Sequence, residues 1–297
     1  MNDIAYKKLK RTNYPAVIAL GVICLLCVIP VCYTATISFT DELTLAREGY
    51  RLIPSKWSMD AYRYILRTPG QILRAYGVSF AVTSAGTAVS LLFTSMLAYV
   101  IVRRDYVFSR VLSFMLTFTL LFNAGMVANY IMVTRFYGLK DTYFALIMPY
   151  IILPWHVFLM KGFLSDINFA LIEAAKLDGC GETGIFFHII VPISKPAFAT
   201  VGLLIAFTYW NDWWLAMLYI ESPSLTPLQY MLYRIMNSIQ YLTSGLASHA
   251  VSADVGRLPS ETARMAMCVL ASWPMLFVFP FFQKYFVKGL TVGAVKG

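Results

Sequence analysis

The sequence predicts an all-α integral membrane protein with six transmembrane helices, and its composition is the first reason. Of the 297 residues, 59% are hydrophobic and only 13% are charged, whereas about 25% of the residues of a soluble domain are charged. A water-soluble fold of this length would have too few polar side chains to cover its surface. The natural surroundings of such a chain are a lipid bilayer, where lone open strands cannot satisfy their backbone groups and helices can.

The second reason is a set of six apolar runs, each long enough to cross the ~30 Å hydrocarbon core as a helix. They contain no Lys, Arg or Glu, and Asp212 is their one acidic residue. The predicted spans are Pro15–Ile37, Ala75–Val102, Val111–Thr134, Thr142–Met160, Pro196–Ile220 and Met265–Gln283. A further uncharged stretch, Ile235–Ala253, is rich in amides and hydroxyls. Their burial in lipid is costly, so we expect an external loop there, with a short surface helix.

Basic residues predict the orientation of the spans. They cluster before span one, after span two and after span six. Because an even number of spans separates these segments, all three clusters lie on the same side of the membrane. By the positive-inside rule that side is the cytoplasm. The opposite segment, 40–74, is also basic, but it is longer and carries four acidic residues. The clustered residues are Lys7, Lys8, Lys10, Arg11, Arg103, Arg104, Arg110, Lys284, Lys288 and Lys296. Both termini, and the loop of residues 165–195 between spans four and five, are then cytoplasmic.

Several classes of function are disfavoured. The net charge is +9, but the basic residues are scattered over short loops, unlike a nucleic-acid-binding groove. The three histidines lie in different segments, and Cys24-x-x-Cys27 has no second pair, so we expect no metal site. No phosphate-binding glycine loop or nucleophile motif is present, so we expect no catalytic residues and no ATP bound by this chain. The apolar run of span one is longer than the apolar region of a signal peptide, so we expect it to be a transmembrane helix and not a cleaved signal.

Small side chains recur along span two. Gly77, Ala81 and Ala85 repeat at a spacing of four, and Ser84 and Ala88 repeat it on an adjacent face. Such faces let helix backbones approach closely. We expect tight packing inside this subunit, and a gate helix beside a pathway is the alternative.

Span five contains an acidic residue surrounded by tryptophans. Asp212 lies about 12 Å from the end of the predicted helix, and a carboxylate at that depth is expected to face a bundle interior or an aqueous cavity. Asn211 precedes it, and Trp210, Trp213 and Trp214 flank the pair. Aromatic rings stack on sugars, and carboxylates and amides bond hydroxyls, so these five residues are predicted to line a pathway. An interfacial belt of tryptophans is the alternative, and a proton relay would have only His156 as a partner.

The stretch EAAKLDGCGETGIFFHIIVP, residues 173–192, is predicted to fold as two short helices. Asn168 can cap the first, Phe169–Lys176, and Asp178-Gly179 can end it. Glu182–Ile190 can form the second, before Pro192 and Pro196 redirect the chain. We expect Ala174 and Ala175 to form a slim exposed face, with an apolar root of Phe186, Phe187 and Ile189.

This stretch resembles the EAA loop of ABC-importer permeases. Glu173-Ala174-Ala175, then Asp178-Gly179, then Phe186-x-x-Ile189-x-Val191-Pro192 match the family register, with Cys180 in place of Ala and Val191 in place of Leu. The segments YWNDWWLAMLYI, LPSETARMA and QKYFVKGLTVGAVKG also resemble carbohydrate-importer permeases of the maltose type. By these motifs, the chain resembles the family of binding-protein-dependent permeases.

The resemblance implies a type I ABC importer permease fold, with a cytoplasmic amino end, first helix and extracellular segment in 1–70. It implies a permease core in 71–288 and a cytoplasmic tail in 289–297. It also implies that Glu173, Ala174, Ala175, Asp178, Gly179, Ile189 and Pro192 couple this chain to an ATPase.

The implied function is that of a non-enzymatic permease subunit that carries a sugar, and more narrowly an oligosaccharide, across the bacterial cytoplasmic membrane. Its implied partners are a homologous second permease, a dimer of ATPase subunits that hydrolyses ATP with Mg²⁺, and an extracellular sugar-binding protein. A permease for another small polar solute is one alternative. An ion-coupled secondary transporter that uses Asp212, or a membrane enzyme, is another.

Overall fold

The computed structural model describes residues 14–67, 69–103, 105–243 and 260–294, without the side chains of 242–243 and 284–294. The regular secondary structure of these residues is helical, and an isolated antiparallel bridge between Thr40 and Trp57 is the one β-type pairing among them. The all-α prediction is confirmed. The α-helices are α1 (Tyr14–Ser38), α2 (Glu42–Glu48), α3 (Asp60–Ile65), α4 (Pro69–Val102), α5 (Ser109–Leu121), α6 (Met126–Ile131), α7 (Tyr143–Ile147), α8 (Pro154–Leu164), α9 (Phe169–Leu177), α10 (Glu182–Gly184), α11 (Val191–Ile193), α12 (Lys195–Trp210), α13 (Trp214–Tyr219), α14 (Leu228–Thr243) and α15 (Glu261–Ala294).

Three described helices are long and apolar enough to cross a membrane: α1, α4 and residues Glu261–Gln283 of α15. Three bent pairs also qualify by length and composition, which brings the described part of the chain to at most six spans. One pair joins α5 to Met126–Phe136 at 113°, and another joins Tyr143–Tyr150 to α8 at 52°. The third joins Glu182–Ile193 to α12 at 87°.

Spans three, four and five are not the continuous helices that the hydropathy predicts. In span three the break is a turn at Gly125, which has φ +87° and whose amide donates to Asn123 Oδ1 at 2.9 Å. In span four, Pro154 starts a new helix, because proline lacks the donor that would continue the preceding one. In span five, α12 ends at Trp210 and α13 begins at Trp214. Hydropathy reports where a chain is apolar, and it does not report such breaks.

The chain divides into two compact units, and the larger comprises residues 69–234 and 273–297. In it α4 packs along α12 and along α8. Its core consists of small, aliphatic and aromatic side chains, mainly from these helices and from the EAA loop, which we define as residues 165–195. Fully buried members include Ala98, Val157, Met160, Ile185 and Val201.

The smaller unit comprises residues 1–68 and 235–272. The side chains of α1 from Tyr14 to Cys32 are exposed, as expected for a helix that faces lipid. Asp41 caps α2 by accepting from Thr44 N, and Lys56 Nζ lies 3.1 Å from its carboxylate. Glu42 accepts hydrogen bonds from the amides of Glu261 and Thr262, both at 3.0 Å. This carboxylate therefore caps the first turn of α15.

Candidate functional site

The limits of the first helix of the EAA loop are those that the local sequence predicts. Asn168 Oδ1 accepts from the amide of Ala170 at 3.1 Å and so caps α9. The helix ends at Leu177, with Asp178 as its C-cap. Gly179 follows with φ +79°, a backbone region that glycine enters without steric cost. The predicted cap and stop are therefore confirmed by the geometry.

The two alanines of the motif lie on different faces of α9. Ala174 is exposed, together with Glu173 and Leu177, while Ala175 is 7% exposed and packs in the core beside Ile172. The expectation of one slim face with both alanines is wrong, because successive residues of a helix with 3.6 residues per turn point about 100° apart. The carboxylate of Glu173 makes no hydrogen bond or ion pair with the described residues. The face it leaves open is a short ridge of Glu173, Ala174 and Leu177.

The second half of the loop is anchored by apolar residues. After α10, the chain forms a π-helical turn over Ile185–Ile190 and continues into α11. Ile185 and Phe186 are buried, and Ile189 is half-buried. Phe187 is 48% exposed, so its predicted place in the apolar root is wrong. The π-helical turn changes which residues face inward, and a 3.6-residue period cannot predict it. Exposed Pro192 lies in α11, just before the 87° turn.

A cluster of charges joins this loop to the end of α4. Arg103 Nη1 and Nη2 donate to Glu182 at 2.5 and 3.0 Å, and Arg103 Nε donates to Asp105 at 2.7 Å. Lys176 Nζ lies 2.8 Å from Asp105 and 3.2 Å from Glu182. Tyr99 Oη accepts from Arg103 at 2.6 Å and donates to Glu182 at 3.1 Å. We name these five residues the Arg103 cluster.

This cluster could not be predicted from the sequence, which places Arg103 among the basic residues that indicate orientation and Glu182 at the start of the second predicted helix. The sequence offers one signal. Charged residues are rare in this chain, and four of them (Arg103, Asp105, Lys176 and Glu182) lie in two loops on the same predicted side of the membrane. Their pairing depends on how α4 and the EAA loop pack.

The ion pairs shift the titration of their members. The Arg103 guanidinium holds the pKa of Asp105 well below its usual range and also lowers the pKa of Glu182. In return, hydrogen bonds to Asp105 raise the pKa of Arg103. At neutral pH every ionisable member apart from Tyr99 is therefore charged.

The predicted pathway residues of span five separate into two sets. Trp210 is 2% exposed and packs against the ring of Phe80, with centroids 5.1 Å apart. Asn211 is exposed, and Trp214 is 39% exposed. Trp213 is half-buried and stacks on Tyr233 at 4.4 Å, with Trp214 against its edge at 5.7 Å. The stack with Tyr233, a residue of α14, was not predicted.

Asp212 has a local structural task. Its Oδ2 accepts from the amide of Leu215 at 3.1 Å, in the first turn of α13. Its Oδ1 accepts from Tyr150 Oη at 2.9 Å. Both carboxylate oxygens are thus used inside the subunit, and the carboxylate stabilises the break between α12 and α13. His156, the only predicted relay partner, is buried in α8. Within the described part of the chain, no hydrogen bond or ion pair joins it to Asp212.

The small residues of span two do not pack inside this subunit. Gly77, Ala81 and Ala85 are exposed, as are Ser84 and Ala88, so the packing prediction is wrong. Ser84 and Ala88 instead line a groove of about 580 Å³ between α4, α12 and residues 274–282 of α15. The residues of α4 that do face the core lie on a different side of the helix from these five small residues. Which side of a two-faced helix becomes buried depends on its neighbours.

The fold and the EAA loop define a multi-pass, helical membrane component of a transport system, and comparison with known proteins supplies its family. Residues 74–292 match the model of the family described as "Binding-protein-dependent transport system inner membrane component". The chain belongs to this family and is an inner-membrane permease.

Several relatives match nearly the whole chain. It is 40% identical to the polygalacturonan/rhamnogalacturonan transport system permease protein YtcP of Bacillus subtilis (strain 168), over 92% of this chain and 94% of that one. It is 30% identical to the arabinooligosaccharides transport system permease protein AraQ of Halalkalibacterium halodurans, over 94% and 95%. A crystal structure of a bacterial ABC transporter involved in the import of the acidic polysaccharide alginate has a similar chain. That chain is 26% identical, with a TM-score of 0.75, over 91% of this chain and 95% of that one.

Proposed function

We propose that this chain is one of two permease subunits of an ATP-driven ABC importer that carries an oligosaccharide into a bacterial cell. The substrate class is supported by relatives named for the transport of polygalacturonan, rhamnogalacturonan and arabinooligosaccharides, and by the similar chain of an alginate importer. The other partners are a homologous permease, a dimer of ATPase subunits and an extracellular sugar-binding protein. ATP and Mg²⁺ belong to the ATPase subunits, and both termini of this chain face the cytoplasm.

The observation that supports an ATPase contact is the exposed ridge of α9. Glu173 offers a carboxylate with no partner among the described residues, next to the small Ala174 and the 89% exposed Leu177. A slim helix with one charge and one large apolar side chain suits a cleft in another protein, which is the helix-in-groove mode of recognition. Ala175, Ile189 and Asp178-Gly179 then serve by holding this ridge in place.

The sugar path is proposed to use the exposed members of span five. Trp214 presents an open aromatic surface, and Asn211 presents an amide, which together suit a sugar ring and its hydroxyls. Trp210 and Asp212 support this region from inside the subunit. An ion-coupled transporter that uses Asp212 is not favoured, because both carboxylate oxygens already accept hydrogen bonds.

Co-purification tests the proposal. The tagged chain is expressed with the proteins encoded beside its gene, and bound ATPase and ATP-dependent sugar uptake are measured. We expect Glu173→Lys to remove uptake and to weaken ATPase binding, while the chain still inserts. The control is Glu221→Lys, since Glu221 is also exposed and its carboxylate pairs, among the described residues, only with Lys140 at 2.6 Å. Uptake by the chain alone, or uptake that survives ATP depletion but not an uncoupler, would overturn the importer assignment.

A further inference from the structure

We propose that Arg103 is the positioning residue that makes the EAA loop move together with α4, so that a displacement of the docked loop reaches the membrane helices. The inference rests on the proposed function, because it assumes that the ridge of Glu173, Ala174 and Leu177 binds an ATPase. It adds a residue outside the loop, with a role that neither the family match nor the relatives assign.

Arg103 is the buried centre of the Arg103 cluster. Its side chain is 6% exposed, whereas those of Asp105, Glu182 and Lys176 are 41%, 57% and 40% exposed. A buried guanidinium needs its ionic partners, because removing them leaves an uncompensated charge. The partners, by contrast, can be solvated if the pairs are broken. The position of the loop is therefore tied to Arg103 more strongly than to any single carboxylate.

The arginine contacts both halves of the EAA loop. Its Nη atoms bind both oxygens of Glu182, which follows the Gly179 turn. The guanidinium carbon lies 5.8 Å from the ring centre of Phe169, at the start of α9, and 5.5 Å from that of Tyr99 on α4. One side chain, placed directly after α4, thus contacts the first residue of α9 and the first residue of α10.

The Arg103 contacts fix the orientation of the EAA loop relative to α4, which the apolar contacts do not. Ile172, Ala175 and Phe186 hold the loop against the core, but hydrophobic burial is non-directional. A two-pronged arginine–carboxylate pair fixes orientation as well as distance. The ridge residues are not members of the Arg103 cluster, so a partner bound to the ridge leaves the Arg103 contacts intact. That arrangement is what a rigid link requires.

Lysine could not replace this link. Its ammonium is a point charge, while the planar fork of arginine bonds two carboxylates and a phenol at once. In the structure Arg103 bonds Asp105, Glu182 and Tyr99 together. Lys176 already supplies a second point charge to the same two carboxylates, and it is more exposed.

The test uses the complete complex in proteoliposomes, with the ATPase and the binding protein present. The measured quantity is the amount of sugar imported per ATP hydrolysed, at equal amounts of assembled complex. We expect Arg103→Ala to keep the ATPase bound and to lower this ratio about tenfold, within the 5- to 150-fold range of typical couplings between sites. Arg103→Lys should lower it nearly as far. The control, Arg110→Ala, removes an exposed arginine of α5 and should leave the ratio unchanged.

A wild-type ratio in assembled Arg103→Ala complexes would overturn the proposal. Should that variant fail to assemble, Glu182→Gln decides, because its amide keeps the shape and loses the charge. A reduced ratio in assembled Glu182→Gln complexes supports the link, and an unchanged ratio overturns it. Failure of the proposed function is visible separately, since the wild-type chain would then bind no ATPase and import nothing with ATP.

Discussion

The ring of Tyr209 lies directly against the backbone of Gly86, so closely that a Cβ added at Gly86 would be 2.7 Å from Tyr209 Cζ. The contact joins α12 to α4. The same tyrosine donates its hydroxyl to Ile147 O at 2.9 Å and lies 2.8 Å from Ser90 Oγ. The absence of a side chain at one position thus lets a phenol bind groups from two other helices.

Gly86→Ala is expected to destabilise the chain. The added methyl group would push the Tyr209 ring away from its hydrogen-bond partners, and overpacking of this kind costs about 1–3 kcal/mol. Gly77→Ala is the matched control, since nothing lies within 4 Å of a Cβ there, and it gains up to about 1 kcal/mol of helix propensity. Melting temperatures in detergent compare the two. Melting temperatures at or above that of the wild-type chain for both variants would contradict the close contact between Gly86 and Tyr209.

Asp212 is expected to act through Tyr150 and α13. Asp212→Ala removes a helix cap, which costs about 0.5–2 kcal/mol, and it also leaves Tyr150 without its acceptor. Because the two residues are in contact, the effects of Asp212→Ala and Tyr150→Phe should not add. Melting temperatures of both single variants and the double variant measure this coupling.

Asn211→Ala is the control for that cycle. Asn211 is exposed, and its amide donates to Phe207 O, one turn earlier in α12. We expect a change within about 0.5 kcal/mol. Strict additivity of the Asp212 and Tyr150 changes would contradict the hydrogen bond between these two side chains.

Glu42→Ala is expected to loosen the start of α15. The carboxylate accepts from the amides of Glu261 and Thr262 and from the Thr262 hydroxyl at 2.6 Å. A cap is worth about 1 kcal/mol, which corresponds to roughly fivefold faster local opening. Hydrogen–deuterium exchange of peptides that begin at residue 260 measures it.

Glu48→Ala is the matched control for Glu42→Ala. Of the residues that the structure describes, the Glu48 carboxylate bonds only Ser55 and Arg51, at 2.6 and 2.9 Å. Exchange at the start of α15 should therefore stay at the wild-type rate. An equal acceleration in both variants would mean that general loosening of this unit, and not loss of the cap, is being measured.

The Arg103 cluster is expected to withstand mild acid. The pKa values of Asp105 and Glu182 are both lowered, first of all by Arg103. Groups with lowered pKa values contribute stability above their unfolded pKa values, about 3.9 and 4.3, and lose it as the pH falls through their folded values. Exchange of peptides covering 176–190, corrected for intrinsic rates, should therefore be constant from pH 8 to about pH 5. Exchange that rises between pH 7 and pH 5 would contradict these directions.

Much of the architecture could be predicted because it depends on local sequence. Six apolar runs marked the spans, since each helix must cross the hydrocarbon by itself. The limits of α9 were predictable because Asn168 and Gly179 act on backbone groups only a few residues away. The EAA motif was recognisable from spacing alone.

Tertiary structure decided which side of each helix is buried and which side remains exposed. The sequence could not show that Ala175 turns inward while Ala174 remains open, or that the small stripe of α4 faces away from its own core. It also could not pair Arg103 with Glu182 or Asp212 with Tyr150, residues separated by 79 and 62 positions. Caps, turns and apolar spans depend on neighbours along the chain, and hydrogen bonds between distant residues form only after the helices have packed.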